Sequence, residues 1–308
     1  MARLRPAMEP ISALAAATIP AAIGYAWWRK APLSLALAVA ILATFGLSVL
    51  AARLDSATGI YGFWDDLLVW KAGPSHSGPL SYVTMMFVHA GLFHLVFNLL
   101  FLILIGPLLE ERIGAVRWGV LFFLGGVVAT LAFEAVHIAD QFYYILGASG
   151  GLSSVFGAFG RLYPRERLRI WVPIPLPPMP AIYWVIGFVV VQFLLSLVAM
   201  GGGPLSGIAW EAHIAGLAFG FATAPLVMRI PARKKPERLR DFSALRPLAK
   251  GAELDEVLGH LSKEPLGEVQ RAWLEKFAAK AVCPQCGRPL RFTRGTMRSE
   301  CGWKLRIT

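Results

Sequence analysis

The stretch GASGGLSSVFGAFGRLY, residues 147–163, restricts the fold more than any other part of the sequence. Its apolar run Ala148–Tyr163 is too short for a membrane span, because a helix rises about 1.5 Å per residue and a span needs about 20 residues. Arg161 and Arg165 fix its C-terminal end at one membrane surface, so the end with Ser149 must lie below the other surface. Irregular backbone at that depth is tolerated only inside a protein or beside a water-filled cavity. The stretch therefore predicts a bundle of membrane helices around a buried serine.

Five longer apolar runs flank this stretch and complete the bundle. The chain is 56% hydrophobic and 16% charged, whereas soluble domains carry about 25% charged residues. We predict an all-α membrane protein with six transmembrane helices, in which Ala148–Tyr163 is the fourth, followed by a small tail domain. The other predicted spans are Leu33–Ala52, Gly91–Leu109, Trp118–Val136, Ala181–Met200 and Ile208–Met228.

An earlier apolar stretch, Ile11–Trp28, allows three interpretations. It contains Pro20 and precedes Arg29 and Lys30. It is just long enough for an extra span, but a segment lying on the membrane surface or a signal-like leader also fits. The predicted domains are residues 1–30, the apolar N-terminal segment; residues 31–230, the six-helix core; and residues 231–308, the tail.

Basic residues are unevenly distributed among the predicted loops. Residues 229–308 carry a net charge of +9, and residues 1–228 carry +2. The loops 137–147 and 201–207 contain no Lys or Arg, whereas arginines follow the second and fourth spans. Because positively charged loops stay on the cytoplasmic side, we predict a multi-pass protein of the plasma (inner) membrane with a cytoplasmic tail. The loop 53–82 then lies on the outer side.

Four polar side chains within the predicted spans share one depth. His94 and Asn98 lie early in the second span, Ser149 begins the fourth and His213 lies early in the sixth. Polar groups inside a membrane are costly and mark function by default. A serine hydroxyl needs a base to remove its proton, and imidazole titrates near neutral pH. We therefore predict that Ser149 is a nucleophile and His213 its general base.

The same region offers donors for a developing negative charge. Ser149 would start a helix, where backbone N–H groups are free, and His94 and Asn98 share one helix face. We predict that these three residues form an oxyanion site. Gly147 and Gly150 let the backbone turn sharply near a substrate.

No third member of a catalytic triad is evident from the sequence. Glu211 points away from His213 on a helix, and the geometry of Glu134 and Asp140 is undefined, so we predict a Ser-His dyad. Each polar residue also has a structural interpretation, since serine can bond a local carbonyl and asparagine can join helices.

The ordered motifs resemble the rhomboid family of intramembrane serine proteases over about residues 30–230. The resemblance implies a serine-type endopeptidase that cleaves single-span transmembrane proteins near the outer membrane face. It implies no cofactor for catalysis and no nucleic-acid partner; the partners would be the substrates and the lipid bilayer. The similar motifs are His89-x4-His94-x3-Asn98, Gly147-Ala148-Ser149-Gly150 and Ala212-His213-x2-Gly216-x3-Gly220.

The sequence departs from the family pattern in two places. Leu80 and Ser81 stand where the family usually has Trp-Arg, so we expect the outer loop to be anchored differently. Ser153 replaces the aromatic residue on which the catalytic imidazole usually rests. On the fifth span, Trp184 and Phe188 are predicted to lie in the inner half, away from the substrate gate.

The tail is predicted to contain two short amphipathic helices and a degenerate zinc ribbon. The helices lie within residues 252–281 on either side of Pro265, with Val269 in the second apolar stripe. Cys283-Pro-Gln-Cys286 resembles a zinc knuckle and Cys301-Gly-Trp the second one, with Arg298 where the fourth cysteine is expected. We predict either a structural zinc on Cys283, Cys286 and Cys301 or a ribbon that has lost its metal.

Three functional alternatives follow from these features. The first is the protease, and the second is a catalytically weak or silent rhomboid-like protein that binds membrane clients. The third is a small-solute transporter, which the absence of internal sequence repeats disfavours. A basic tail also suits nucleic acid or a protein partner, but attraction to anionic lipid is the simpler explanation.

Overall fold

The computed structural model describes residues 10–54, 67, 69–71, 78–140, 142–169, 177–200, 207–231, 242–264, 267–293 and 295–307. The chain divides into two compact units, Met1–Ala232 and Arg233–Thr308. Most of the predicted outer loop 53–82 and the basic segment 232–241 lie outside the described residues.

The first unit is helical, and each predicted apolar run corresponds to one helix. The short run becomes the helix Ser149–Leu162, with 14 residues, and the N-terminal stretch is also a helix. A 3-10 turn, Met85–Phe87, precedes the fourth helix. The helices are α1 Pro10–Arg29, α2 Leu33–Leu54, α3 Ser81–Thr84, α4 Leu92–Ile113, α5 Ala115–Val136, α6 Ser149–Leu162, α7 Ala181–Met200 and α8 Trp210–Val227.

Five helices among the described residues, α1, α2, α4, α5 and α7, are long and apolar enough to cross a membrane. They expose large apolar side chains outward: on α7, Phe193 is 60% and Val191 51% exposed. Such a surface is unfavourable in water and favourable in lipid. The all-α membrane bundle is thus confirmed, and the chain is a multi-pass membrane protein. The helices α6 and α8, which carry Ser149 and His213, are not among the five.

The helix α6 lies at the centre of the bundle, with every residue from Gly150 to Gly160 buried. It packs most extensively against α8 and also against α5. The contact with α8 depends on glycine: a Cβ on Gly216 would meet the Gly150 carbonyl oxygen at 2.2 Å, and one on Gly220 would meet that of Ser154 at 1.8 Å. The two backbones therefore touch, as the Gly-x3-Gly spacing predicts.

A short antiparallel strand pair lies at each end of the bundle. At one end β1, Val69–Lys71, pairs antiparallel with β2, Tyr143–Ile145. At the other end β3, Arg167–Leu168, pairs with β4, Met179–Pro180. The β1–β2 pair thus brings together two loops that were predicted to lie on the outer side, whereas β3 and β4 both belong to the loop between α6 and α7.

A buried carboxylate fixes the start of α2. The two carboxylate oxygens of Glu110, near the end of α4, accept hydrogen bonds from the backbone N–H groups of Leu33 at 2.6 Å and Ser34 at 2.8 Å. The first N–H groups of a helix lack partners within the helix, so this carboxylate satisfies two of them.

The second unit contains the two predicted helices and a small sheet. A buried apolar cluster, which includes Leu254, Leu274 and Phe277, joins the helices to the sheet. Val269, which was predicted to belong to the apolar stripe of the second helix, is exposed. Leu274 of the same helix is buried in the core instead. The elements are a 3-10 turn Ser243–Leu248, α9 Ala252–Lys263, α10 Gly267–Lys280, and the antiparallel strands β5 Arg291–Thr293, β6 Thr296–Arg298 and β7 Lys304–Arg306.

Candidate active site

Ser149 and His213, which are 64 residues apart in the sequence, are hydrogen-bonded. The distance between His213 Nε2 and Ser149 Oγ is 2.8 Å. Ser149 is the first residue of α6, and His213 lies one turn inside α8. The glycine-mediated contact of α6 with α8 brings the two side chains together.

The turn before Ser149 requires glycine at position 147. Gly147 has a φ of +108°, which is unfavourable for other residues, and its N–H donates to the Met85 carbonyl at 2.9 Å. A Cβ at this position would lie 2.7 Å from the His94 ring. Gly147 thus positions the start of α6 and leaves room for His94 beside it.

The predicted oxyanion residues lie on the neighbouring helix α4. Asn98 is 5% exposed, and its Nδ2 donates to the His94 carbonyl at 2.9 Å. The Asn98 Oδ1 and the His89 Nε2 are buried without a hydrogen-bond partner in the part of the chain that the structure describes. The rings of His89 and His94 have centroids 4.9 Å apart. His94 therefore lies beside Gly147, two residues before Ser149, and the buried polar atoms of Asn98 and His89 are not fully satisfied by the described part of the protein.

A residue that the sequence did not indicate contacts His213 from α7. The Gln192 Oε1 lies 3.1 Å from His213 Nδ1. One turn earlier on α7, the ring of Phe188 has its centroid 6.4 Å from that of His213. Phe188, which was expected in the inner half of its span and away from the substrate gate, therefore lies beside the catalytic histidine. Ser153 is buried on α6, and α7 provides the ring that α6 lacks.

The three nearby acidic residues have other partners. Glu134 accepts hydrogen bonds from the hydroxyl groups of Tyr82 at 2.8 Å and Tyr143 at 3.1 Å. Glu211 and Asp140 both lie beside His137. Burial, together with Glu134, raises the pKa of Tyr82 and of Tyr143 to about 12. The Tyr82–Glu134–Tyr143 group joins the segment before α4 to α5 and β2.

A small cavity adjoins Ser149. Its volume is about 20 Å³, and Thr130, Gly147 and Ala209 are among the residues that line it. A cavity needs about 10–15 Å³ to hold one water molecule with polar partners. The space beside the serine is thus sufficient for a single water.

A second group of reactive side chains lies in the tail. The sulfur atoms of Cys283, Cys286 and Cys301 all lie within 4.8 Å of one another. Those of Cys283 and Cys301 are 3.6 Å apart. Neighbouring thiolates on a tetrahedral zinc ion, with Zn–S bonds of about 2.3 Å, are about 3.8 Å apart. The cluster could therefore bind a metal ion.

The position expected for a fourth metal ligand is occupied by a different residue from the one that the sequence indicated. In the first knuckle the Cys283 N–H bonds the Arg288 carbonyl and the Gly287 N–H bonds the Cys283 carbonyl. The second knuckle repeats both bonds: the Ser299 N–H donates to the Trp303 carbonyl, and the Gly302 N–H donates to the Ser299 carbonyl. Arg298 belongs to strand β6, so the expectation that it occupies the fourth position was wrong. Ser299 occupies it, because the second knuckle is one residue shorter, and its Oγ lies 3.2 Å from Cys286 Sγ.

Comparison with known proteins identifies the first unit. The family model described as "Rhomboid domain" matches residues 77–230, half of the chain. The matched region contains Ser149, His213, His94, Asn98 and Gln192.

The chain is similar to several curated proteins over limited regions. "Rhomboid-type serine protease 2" of Emericella nidulans is 29% identical over 150 residues, 49% of this chain and 27% of that protein. "Rhomboid-related protein 3" of Homo sapiens is 38% identical over 77 residues, 25% of this chain and 18% of that protein. "Inactive RHOMBOID-like protein 8" of Arabidopsis thaliana is 38% identical over 64 residues, which are 21% of this chain and 18% of that protein. The matches thus span less than half of each relative.

Proposed function

The chain belongs to the rhomboid family, and we propose that it is an intramembrane serine endopeptidase that works through the Ser149–His213 pair. The observation that carries this proposal is the 2.8 Å contact between Ser149 Oγ and His213 Nε2. A serine acts as a nucleophile when a base lies within hydrogen-bond reach of its hydroxyl group.

The first half of the proposed reaction forms an acyl-enzyme. His213 Nε2 accepts the proton of Ser149 as Oγ attacks the carbonyl carbon of the peptide bond. The carbonyl oxygen becomes negatively charged and is stabilised by the Ser149 backbone N–H, Asn98 and His94. His213 then donates the same proton to the leaving nitrogen, and the carbon–nitrogen bond breaks.

The second half consumes water. A water molecule transfers a proton to His213 while its oxygen attacks the acyl carbon, and the proton then returns to Ser149 Oγ as the ester bond breaks. The cavity of about 20 Å³ beside Ser149 supports this step because it provides space for that water. None of these steps requires a cofactor.

The proposed substrates are single-span transmembrane proteins, cleaved near the outer membrane face. Ser149 begins a helix of 14 residues, which is too short to cross a bilayer of about 30 Å. A substrate held in the same bilayer would thus meet the serine below the membrane surface. We propose the plasma (inner) membrane as the location, with the Arg-rich end of the bundle and the tail in the cytoplasm.

Labelling with a serine-directed fluorophosphonate tests the enzyme. The full chain in detergent should be labelled, and Ser149→Ala should abolish the label and the cleavage of a helix-destabilised model substrate. His213→Ala should reduce both by about 10²-fold or more. The matched control is Ser154→Ala, a neighbouring α6 serine whose hydroxyl bonds the Leu121 carbonyl. Labelling that persists in Ser149→Ala would contradict the proposal.

A silent, client-binding protein is the second candidate function. The relative whose name contains "Inactive" favours it, whereas the Ser149–His213 hydrogen bond favours the enzyme. The absence of both labelling and cleavage in the folded wild-type chain would support the silent protein.

We also propose that the tail cysteines hold a structural zinc ion. The sulfur separations fit the edges of a tetrahedral zinc site. Structural zinc has four ligands, and the Ser299 hydroxyl, or a water beside it, would complete the set.

A further inference from the structure

Gln192 is a buried polar residue on α7, a helix whose opposite face exposes large apolar side chains. It is 5% exposed, whereas its neighbours Val191 and Phe193 are 51% and 60% exposed. An amide that is buried away from water is costly unless it is hydrogen-bonded. Its side-chain oxygen lies 3.1 Å from His213 Nδ1, so His213 provides the compensating bond.

This contact determines which nitrogen of His213 carries the hydrogen. The oxygen of an amide only accepts hydrogen bonds, so Nδ1 must donate to it. In the neutral imidazole the other nitrogen, Nε2, then has a lone pair. That lone pair faces Ser149 Oγ at 2.8 Å, and this is the arrangement that a general base for serine requires.

The helix α7 also restricts the ring plane of His213. Phe188 lies one turn before Gln192 on the same face, with its ring 6.4 Å from the His213 ring. Phe188 in turn packs edge-on against Phe156 of α6, at 5.8 Å. α6 has Ser153 in place of an aromatic residue, and the amide and the phenyl ring of α7 contact the imidazole instead.

We propose that Gln192 is the positioning residue of the catalytic base: it fixes the tautomer and the orientation of His213, with Phe188 as the flanking ring. This inference rests on the proposed protease function. The arrangement has the geometry of a Ser-His-acid triad, but with a neutral acceptor, so that no additional charge is buried in the membrane. Among the described residues, His94 on α4 is a further titratable group near His213.

The competing explanation is that Gln192 only joins α7 to α8. Interhelical hydrogen bonds in membranes contribute about 0.6 kcal/mol on average. A residue with that role alone affects stability and leaves the reactivity of Ser149 unchanged. The decisive measurements are therefore the rate of fluorophosphonate labelling and the separate values of kcat and KM, together with the melting temperature.

The test compares Gln192→Met with Gln192→Glu in the full chain in detergent. Methionine has a similar length but no strong acceptor, so we expect the labelling rate and kcat to fall about 10- to 100-fold, part of the about 10²–10⁴ that a general base supplies. KM should stay within about twofold, because the substrate contacts are unchanged. Glutamate retains an acceptor and should restore most of the rate.

A matched control lies one turn further along α7. Ser196 is also buried, but its hydroxyl bonds the Phe193 carbonyl of its own helix at 2.6 Å, so Ser196→Ala should react like the wild type. A folded Gln192→Met chain with the wild-type labelling rate and kcat would overturn the inference, even if Gln192→Glu did not fold. If the wild type itself were not labelled at Ser149, the proposed protease function would fail instead.

Discussion

At the scale of single residues, Asn98 is the donor whose contribution can be isolated. Its Nδ2 bonds the His94 carbonyl, which leaves the second N–H of the amide for a developing oxyanion. Removing one such donor costs on the order of 10²-fold in kcat. We therefore expect Asn98→Ala to reduce kcat by about that factor in a cleavage assay, with a smaller change in KM.

The control for Asn98 is a polar residue that bonds only within its helix. The hydroxyl of Thr223 on α8 donates to the Phe219 carbonyl at 2.7 Å, so Thr223→Val should leave kcat unchanged. Equal kcat values for Asn98→Ala and the wild type would remove Asn98 from the oxyanion site.

The sequence predicted these residues to different extents. Ser149, His213, His94 and Asn98 stood out because they are polar residues within apolar runs and share a depth. Gln192 also lies within an apolar run, but its role depends on the rotation of α7, which no periodicity in an almost wholly apolar helix reveals. The loss of the aromatic residue at Ser153 was visible, whereas its replacement by Phe188 required the packing of α7 against α6.

At the scale of elements, the two knuckles of the tail make the zinc proposal testable. We expect the purified full chain to contain about one zinc per chain, and Cys301→Ser to lose it, because three ligands would no longer be available. Ser299→Cys should retain zinc and resist a chelator better than the wild type, since a thiolate replaces a weaker oxygen ligand. Metal content and the visible spectrum after Co²⁺ substitution measure both effects.

The control variant for the knuckles places a thiol elsewhere in the tail. Ser262 is exposed on α9, and its hydroxyl donates to the Gly259 carbonyl of the same helix, so Ser262→Cys should change neither the zinc content nor the Co²⁺ spectrum. A wild-type chain that takes up neither zinc nor cobalt would show that the cysteine cluster is not a metal site.

The membrane helices were easier to predict from the sequence than the second knuckle of the tail. Apolar runs marked the spans because lipid requires them. The knuckle was misplaced by one residue, since Ser299 takes the position expected for Arg298 through backbone hydrogen bonds. A shortened turn of this kind changes no composition or periodicity, so the sequence alone did not reveal it.

At the scale of the whole molecule, the two ends of the bundle differ in charge and in how they are joined. The end with β3 and β4 carries Arg112, which pairs with Glu166 at 3.0 Å, and Arg117, which donates to the Ile230 carbonyl. The end with β1 and β2 carries Glu134, which accepts hydrogen bonds from the hydroxyl groups of Tyr82 and Tyr143. The last residues of the bundle therefore lie at the arginine-rich end.

This asymmetry predicts the orientation of the chain in a bacterial inner membrane. Because arginine-rich loops resist translocation, a fluorescent protein fused after Thr308 should fluoresce in the cytoplasm, and alkaline phosphatase fused there should be inactive. Alkaline phosphatase fused after Asp140, in the loop that joins α5 to β2, should be active, and that fusion serves as the reciprocal control. Active phosphatase after Thr308 would reverse the orientation, and Ser149 would then lie near the cytoplasmic face, so that cleavage near the outer membrane face would no longer follow.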